Sequence, residues 1–445
     1  MNISKKSDIS DFLFAGKKLQ TSAIVSLLIS TSFGLNAIFY AAWLGYSIGI
    51  WALVIQIAWS ISFFLLIPAS KHFSHIASLH DFLGQQFGQK TKLLASVCSL
   101  VGICYFIVWE VSISIETIAP LTSNAPTVIG FFALVAITYT SFFGLRGNAY
   151  INRYINFVKV VILFGMSGFA LYHFSQLPSE LIYQSVFPSF DTVVKNLGML
   201  GLITNIIFNL AWQFVDNSSW QSIIGGSKTS HISTSVNLKY SGLLIFLTVN
   251  LTSTFLGISL AQVHTVTPDN ILSMTSVVMP QYSTLISTGI IVLSIASMMT
   301  LVDGMLLASA LTVNIDILPA SWMAQLSEKK RMTFIQLSII VFGLLTIWGI
   351  QFLLDAFEVN MFDFLYIIVI SQLSLIGPVI VGLYTKSKKI KYMWLPIIVA
   401  LIVGFGSIII GGMTGTKGLI DGAGTFSVIT SCIAAWAACY LHKYI

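Results

Sequence analysis

Charged side chains are scarce in this sequence. Lys, Arg, Asp and Glu make up 9% of its 445 residues, whereas soluble domains carry about 25%. Apolar residues make up 56% of the chain, and they are gathered in long, nearly uninterrupted stretches. These proportions exclude an ordinary soluble globular protein and predict an integral membrane protein that lies in a lipid bilayer.

Cysteines and long polar segments are also rare. The cysteines fall within apolar stretches at spacings that match no metal-ligand pattern, so we interpret them as packing residues. The longest polar connections, around 175–195 and 263–281, are too short for a soluble domain. We therefore expect no enzymatic activity and no cofactor. The polar segment from Met1 to Gln20 also lacks the apolar core of a cleavable signal peptide.

Twelve apolar stretches are long enough to cross a bilayer as helices, for which about 20 residues are needed. They do not alternate with the period of two that barrel strands show, so the expected fold is all-α. The predicted spans 1 to 12 are 21–45, 48–70, 92–119, 126–144, 150–174, 196–224, 236–262, 282–317, 332–353, 361–385, 392–412 and 422–441. We expect residues 1–20 to form a cytoplasmic segment, residues 21–385 a ten-helix core and residues 386–445 two additional spans.

The basic residues predict the orientation, because short cytoplasmic loops are enriched in Lys and Arg. All of them except Lys159, Lys195 and Lys417 fall on one side of the membrane. That side holds Lys5, Lys6, Lys17, Lys18, Lys71, Lys90, Lys92, Arg146, Arg153, Lys228, Lys239, Lys329, Lys330, Arg331, Lys386, Lys388, Lys389, Lys391 and Lys443. Both termini are therefore predicted to be cytoplasmic, in a multi-pass protein of the cell membrane. The net charge of +6 then requires no nucleic-acid partner, and the oligomeric state stays open.

Two spans are interrupted by polar or flexible residues at mid-membrane depth. Span 1 contains Ser30-Thr31-Ser32-Phe33-Gly34-Leu35-Asn36, and span 6 contains Asn205, Asn209, Trp212 and Gln213. Paired interruptions at corresponding positions of two halves are typical of inverted-repeat transporters, whose unwound segments line a substrate site. The alternative is that these small residues only allow close helix packing.

Five segments resemble motifs of the sodium:solute symporter family, in the same order and over about residues 11–320. They are Phe14-Ala15-Gly16-Lys17-Lys18-Leu19, Gly45-Tyr46-Ser47-Ile48-Gly49, Asp81-Phe82-Leu83 through Phe87-Gly88, Asp216 to Gln221 with Gly225-Gly226-Ser227-Lys228, and Met299-Thr300-Leu301-Val302-Asp303 through Asn314-Ile315-Asp316. The resemblance implies the leucine-transporter fold, a five-plus-five inverted repeat that works by alternating access.

The resemblance also implies a substrate site. Gln56 falls where sugar-transporting members carry a substrate-binding glutamate, Asn209 where they carry a substrate asparagine, and Trp212 where they carry a gating aromatic residue. Gln56 and Asn209 are amides in apolar helices, where burial is costly unless something bonds them; an interhelical hydrogen bond is the alternative. The predicted substrate residues are Gly34, Asn36, Gln56, Asn209, Trp212 and Gln213.

A sodium site is implied as well, but this sequence departs from it. The site would use the backbone carbonyls of Ser30, Phe33 and Ser297 and two adjacent hydroxyls. Thr300 supplies one hydroxyl, whereas Leu301 stands where the second is expected. A hard cation needs several oxygen ligands at short range, so this substitution argues against conventional sodium binding. Ser32 likewise replaces an aspartate that proline-transporting members use.

Lys159 is the basic residue that lies deepest in a predicted span. It shares one helical face with Asn148, Asn152 and Asn156, at offsets that fit a 3.6-residue period. The segment Asn156-Phe157-Val158-Lys159 also resembles the fifth helix of amino acid-polyamine-organocation transporters. Some of these are proton-coupled and hold a lysine ammonium where sodium-driven relatives hold the ion. A cation costs roughly 2.5–3.5 kcal/mol or more at the centre of a spanning helix, so a functional role is expected.

Three interpretations of Lys159 stay open. Its ammonium occupies the vacated sodium site, or it is a structural partner of Asp303 or another buried acid, or it snorkels to the inner surface. The predicted ion-coupling residues are Ser30, Phe33, Asn156, Lys159, Ser297, Thr300 and Asp303. Glu110, Glu116 and Asp216 are further buried acids whose roles the sequence leaves undecided.

These features predict a secondary active transporter that imports a small polar organic solute by alternating access. The coupling ion is a proton or sodium. The resemblance around Lys159, together with Leu301 in place of a sodium ligand, favours transport that is proton-coupled or independent of sodium. A conventional sodium-coupled symporter is one alternative, and a transporter-like solute sensor is another. The solute itself is not specified by the sequence, because many small polar molecules suit this fold.

Overall fold

The computed structural model describes residues 9–227, 231–262, 271–278, 280–350, 352, 361–385 and 390–442, and every regular element within them is helical. Part of the connection 263–281 lies outside the described residues. So do seven of the basic residues that predict the orientation: Lys5, Lys6, Lys228, Lys386, Lys388, Lys389 and Lys443.

The first predicted span consists of two helices, α1 (Thr21–Ser32) and α2 (Leu35–Ile48), which Phe33 and Gly34 separate. Gly49, at a φ of 59°, then turns the chain into α3 (Ala52–Leu65). A positive φ is a conformation that glycine adopts at little steric cost. The short helix α4 (Leu79–Phe87) follows and leads into the third crossing, α5 (Gln89–Ile118).

The fourth and fifth crossings form one 50-residue helical segment, α6 (Ala125–Phe174). At 1.5 Å per residue it is about 75 Å long, more than twice the thickness of a bilayer core. Gly144 interrupts the segment with a φ of 59° and a ψ of −158°. A Cβ at this position would lie 2.8 Å from Cδ2 of Phe12. The absence of a side chain therefore permits the bend that separates predicted spans 4 and 5.

The second half begins with another broken crossing. Helices α7 (Met199–Val215) and α8 (Asn217–Ile224) are separated by the extended residue Asp216. The remaining α-helices of more than six residues are α9 (His231–Ile245), α10 (Leu251–Ser259), α11 (Ser283–Leu311), α12 (Glu328–Leu344), α13 (Met361–Leu373), α14 (Ile376–Tyr384), α15 (Trp394–Thr414) and α16 (Lys417–Leu441). A π-helical turn at Thr312–Ile317 extends α11. The first break lies at the predicted segment around Gly34, whereas the second lies at Asp216 and not at Asn205 to Gln213, which belong to the continuous helix α7.

The described residues contain nine helices long and apolar enough to cross a membrane. Two bent pairs, Ile9–Lys17 with Thr21–Ser32 and Phe190–Leu197 with Met199–Val215, bring the number to eleven. One of the nine, Leu35–Lys71, includes the turn at Gly49, and another, Ala125–Phe174, includes the bend at Gly144. Each of the twelve predicted spans therefore coincides with a helix or a helix pair.

Hydrogen bonds and an ion pair connect the loops at one end of the bundle. Lys17 Nζ donates to the carbonyls of Ser74 at 3.2 Å and Ile76 at 2.9 Å, and Arg146 pairs with Asp11 at 2.7 Å. These contacts join the N-terminal segment, the α3–α4 connection and the bend of α6 at the end predicted to be cytoplasmic. Of the two halves of the first crossing, α1 packs against α6 and α11, and α2 packs mainly against α10.

Candidate functional site

The break between α1 and α2 exposes backbone groups at the centre of the bundle. Phe33 and Gly34 have non-helical backbone angles, so carbonyls at the end of α1 and N–H groups at the start of α2 lack helical partners. Gly34 has no room for a side chain, because a Cβ there would lie 2.9 Å from Oε2 of Glu110 and would collide with Leu301. The two groups that crowd Gly34 therefore define the surroundings of the break.

Lys159 meets the carbonyl end of α1. Its ammonium donates to the Phe33 carbonyl at 2.9 Å and to Thr300 Oγ1 at 2.8 Å, and it lies 4.5 Å from the centre of the Phe33 ring. The side chain is fully buried, so Lys159 does not snorkel to the inner surface. A cation at a helix C-terminus is stabilised by the helix dipole, and the aromatic face adds a cation–π contact.

Two oxygens of the expected sodium site, the Phe33 carbonyl and Thr300 Oγ1, bind the ammonium, and the hydrogen bonds of the described residues include none from it to the Ser30 or Ser297 carbonyl. The Ser297 carbonyl accepts from Thr300 Oγ1 at 3.2 Å rather than from the lysine. The hydroxyl of Ser30 donates to the Ser26 carbonyl at 2.9 Å and accepts from Asn156. Leu301 is fully buried against Gly34, so the position of the missing hydroxyl is filled by an apolar side chain.

Glu110 meets the other side of the break. Its carboxylate comes from α5 and accepts the backbone N–H of Leu35 at 2.6 Å and of Asn36 at 3.1 Å. Glu110 is fully buried, and an anion at a helix N-terminus is stabilised by the dipole. Sequence reasoning left this residue undecided, since only its acidic side chain within an apolar helix marked it. The first crossing thus carries a cation on one half-helix and an anion on the other.

The asparagines on the Lys159 face connect α6 to α1 and α11. Asn156 Nδ2 donates to the Ser26 carbonyl and to Ser30 Oγ, both at 2.9 Å. Asn152 Nδ2 donates to Asp303 Oδ1 at 3.3 Å, and Asn148 Nδ2 to the Asp303 carbonyl at 3.3 Å. The predicted common face therefore exists and is buried.

Asp303 has its own hydrogen-bond partners. Its Oδ2 accepts from the Tyr139 hydroxyl at 2.7 Å, while Asn152 binds the other oxygen. Among the residues that the structure describes, the ion pairs do not include one between Lys159 and Asp303. A direct ion pair with Asp303 is therefore absent from the described residues, and the interpretation of Lys159 as a structural partner of Asp303 or another buried acid stays a prediction.

A cavity of about 450 Å³ lies beside the break, between α2, α3, α5 and α7. Its wall is aromatic and amide-rich. The lining includes Asn36, Tyr40, Trp43, Gln56, Trp59, Phe106, Trp109, Asn196, Asn205, Phe208, Asn250, Lys417 and Asp421. Lys417 and Asn196 belong to the end opposite the Lys17 contacts, so the cavity opens towards the predicted outer face.

The predicted substrate residues divide into two groups. Asn36 and Gln56 lie in the cavity wall. The other four do not lie in that wall: Gly34 is at the break, and Asn209 Nδ2 donates to the Tyr40 hydroxyl at 3.4 Å from behind it. Trp212 supports the wall by stacking on Trp59 at 5.9 Å and on Phe106 at 5.5 Å. Gln213 is fully buried behind these rings.

The opposite end of the bundle is closed by a polar cluster around Asp316. The Asp316 carboxylate is bonded to His80 Nδ1 at 2.9 Å, to the Ser78 hydroxyl at 2.8 Å and to Lys92 Nζ at 3.2 Å. His80 Nε2 lies 2.7 Å from Ser99 Oγ. We call Ser78, His80, Lys92 and Asp316 the inner cluster; it ties α4 and α5 to the end of α11.

Asp216 has a local structural role in this state. One of its oxygens accepts from the backbone N–H of Ser218 at 3.0 Å and the other from that of Ser219 at 3.2 Å. Both serine hydroxyls donate to it as well, at 2.7 Å and 2.6 Å. Asp216 is therefore the N-cap of α8, and it stabilises the break of the sixth crossing.

Sequence comparison finds no relative: no family model matches the chain, and no curated protein matches it. Solved structures do match over nearly the whole chain. A Na+-coupled sialic acid symporter in a substrate-bound, outward-open state is 14% identical with a TM-score of 0.76, and the match covers 98% of this chain and 93% of that one.

Two further structures match with lower TM-scores. A nucleobase-cation-symport-1 family transporter, closed around bromovinylhydantoin, is 16% identical with a TM-score of 0.58, covering 100% of this chain and 96% of that one. A manganese transporter from Eremococcus coleocola has 16% identity and a TM-score of 0.58, covering 99% of each chain. This chain therefore has the all-α leucine-transporter fold, a five-plus-five inverted repeat, with α15 and α16 as two additional helices.

Proposed function

We propose that this protein is a secondary active transporter that imports a small polar organic solute by alternating access. The observation that carries the proposal is the cavity between two broken crossings. It is reached from the predicted outer end, and the inner cluster closes the other end. Midplane sites at discontinuous helices are the sites at which transporters of this architecture bind their solutes. The described state then corresponds to an outward-facing step of the cycle.

The cation position beside the first break supports transport that is coupled to protons or independent of sodium. Lys159 already contacts the Phe33 carbonyl and Thr300 Oγ1, which are two of the ligands that sodium would use. An ammonium and a sodium ion about 4 Å apart repel by about 4 kcal/mol at an effective dielectric near 20. That repulsion weakens sodium binding by roughly a thousandfold.

Conventional sodium coupling is the second candidate, and one observation favours it. The solved structure with a TM-score of 0.76 is that of a Na+-coupled symporter. Under this proposal Lys159 would leave the Phe33 carbonyl when sodium binds. We also infer that the chain is an outlying member of the sodium:solute symporter family. The five motifs support this, because Gly45 to Gly49 ends α2 at the turn and Asp216 to Gln221 spans the second break.

Uptake into proteoliposomes tests transport and coupling together. We expect the vesicles to accumulate a solute that the purified protein binds. Uptake should persist when choline replaces sodium, and its rate should rise when the outside is made more acidic. A rate that collapses without sodium would establish the sodium-coupled alternative. Binding without accumulation, in vesicles whose orientation and ion gradients are verified, would instead favour a solute sensor.

A further inference from the structure

Three side chains of the cavity wall carry buried hydrogen-bond donors that have no acceptor. Within the described residues, Asn36 Nδ2, Gln56 Nε2 and Trp59 Nε1 are buried and have no hydrogen-bond partner. Asn36 and Gln56 are 3% and 2% exposed, and all three side chains line the cavity. An indole N–H donates only, and an unsatisfied buried donor costs free energy. A ligand that offers acceptor oxygens at these positions would remove that cost.

The same wall is built from flat rings in parallel layers. Trp59 and Trp212 are stacked with an interplanar angle of 25°, and Trp212 and Phe106 are stacked with an angle of 26°. Phe208 packs at 5.2 Å on Trp212. Aromatic rings prefer offset stacking or edge contacts with other rings. Trp59 and Phe106 both line the cavity, so this layered wall suits a planar ligand better than a bulky one.

The charges around the cavity disfavour an anion. The N–H groups of α2, which attract anionic substrate groups in transporters of this architecture, are already occupied by Glu110. The cavity lining in the described residues has charged side chains only at its mouth. They are Lys417 and Asp421, which have opposite signs and lie on one helix. A carboxylate that entered the cavity would find no cation in the lining except Lys417 at the mouth, on the same helix as Asp421.

We propose that the cavity binds an uncharged, planar ring that carries carbonyl oxygens, and that it binds solutes that bear a carboxylate more weakly. The amide and indole donors bind the carbonyl oxygens, while the stacked rings contact the face of the ligand. This inference rests on the proposed transport function and specifies the solute class of the same cavity.

Matched pairs of small molecules test the proposal with the purified full chain. The neutral members are uracil, nicotinamide and benzamide, and their anionic counterparts are orotate, nicotinate and benzoate. Glucose, inositol and proline represent non-planar or zwitterionic solutes. Affinities are measured at equilibrium by calorimetry, with thermal stabilisation as a second readout. We expect at least one neutral ring to bind, and to bind at least about tenfold more tightly than its carboxylate counterpart.

Two variants separate the donor from the ring. Trp59→Phe keeps an aromatic face and removes the N–H, so it should weaken binding of the neutral ring about fivefold or more. Trp436→Phe is the matched control, because Trp436 is 55% exposed on the outer surface of α16. This variant should bind the neutral ring with the affinity of the wild type.

Three results would overturn this inference. They are the absence of binding by all three neutral rings, a carboxylate that binds as tightly as its neutral counterpart, and tighter binding of glucose, inositol or proline. If Trp59→Phe binds the neutral ring as tightly as the wild type does, the indole N–H does not contact the ligand. None of these results decides whether the protein transports. If proteoliposomes accumulate a sugar or a carboxylate, the transport function stands and the neutral-ring inference fails.

Discussion

Two buried side chains of opposite charge stabilise the break in the first crossing. Lys159 binds the carbonyl end of α1, and Glu110 binds the N–H end of α2. Each charge lies at the helix end whose dipole favours it, an effect of up to about 2 kcal/mol in partly buried sites. The protein therefore supplies from its own side chains the charges that other transporters of this fold take from bound ions and substrate groups. This is the residue-level reason to expect little dependence on sodium.

The first residue-scale prediction concerns the coupling ion. The double substitution Lys159→Ala with Leu301→Ser removes the ammonium and restores the second hydroxyl beside Thr300. We expect transport to gain sodium dependence and to lose its dependence on pH, because oxygen ligands then surround an unoccupied cation position. Leu301→Ser alone is the matched control, since the ammonium that remains on Phe33 and Thr300 still repels sodium. Rates of uptake with sodium and with choline provide the measurement. A Lys159→Ala variant that keeps wild-type rates and pH dependence would show that the lysine is structural.

A second residue-scale prediction concerns the amide donor of Gln56. Gln56→Ala should weaken solute binding by about fivefold or more, because one hydrogen bond contributes about 1 kcal/mol. Gln372→Ala is the matched control: this amide is also buried, but it bonds the Ser99 carbonyl at 3.4 Å, away from the cavity. Asn209→Ala should act indirectly, by releasing Tyr40. Calorimetry on the three variants checks these effects, and equal affinities for Gln56→Ala and Gln372→Ala would contradict a direct contact.

At the scale of helices, closure of the inner end depends on one carboxylate. Asp316 lies in the π-helical turn that extends α11 and binds residues of α4 and α5. The Ser78 hydroxyl also caps α4 by accepting from Asp81 N, so the same cluster fixes the start of that helix. Removing one partner of a buried charged network usually costs several kcal/mol. The inner cluster is therefore the element contact most able to bias the inward-facing and outward-facing populations.

Asp316→Asn should shift the population towards the inward-facing state. The readout is the alkylation rate of a cysteine at Thr312, which is fully buried at this closure and accepts from Asn217 Nδ2 at 3.0 Å. In a variant without the native cysteines, we expect the rate to rise at least about tenfold, since 1.4 kcal/mol changes an equilibrium tenfold. Asp11→Asn is the control, because the exposed Asp11–Arg146 pair contributes only about 0–1 kcal/mol. Equal rates in Asp316→Asn and Asp11→Asn would show that the inner cluster does not control closure.

At the scale of the molecule, the sequence predicts the crossings better than it predicts the side chains that meet between them. Long apolar runs and the flexible segment around Gly34 specify the twelve crossings and the first break, because burial of apolar surface and backbone hydrogen bonding act along each helix separately. The contact of Lys159 with Thr300 was predictable from the face it shares with Asn156 and from their common depth. The pairing of Glu110 with Leu35 N was not, because it depends on how α5 is rotated against α2. An evenly apolar helix gives no periodicity from which to predict that rotation, and the stacking of Trp59 on Trp212 was hidden for the same reason.

The last prediction concerns orientation, which the distribution of basic residues predicts and on which the direction of import depends. Lys195 and Lys417 belong to the end where the cavity opens, whereas Lys71 follows α3 at the end that the inner cluster closes. All three are exposed, so single cysteines at these positions in a variant without Cys98, Cys104, Cys432 and Cys439 should fold normally. A membrane-impermeant maleimide applied to intact cells should label the first two positions and not the third, and cell lysis should make the third reactive. The positive-inside bias supports this result, because most of the basic residues lie at the Lys71 end.

Labelling of Lys71→Cys alone in intact cells would show that the protein has the opposite orientation. The cavity described here would then open to the cytoplasm, and the outward-facing assignment would have to be exchanged for an inward-facing one.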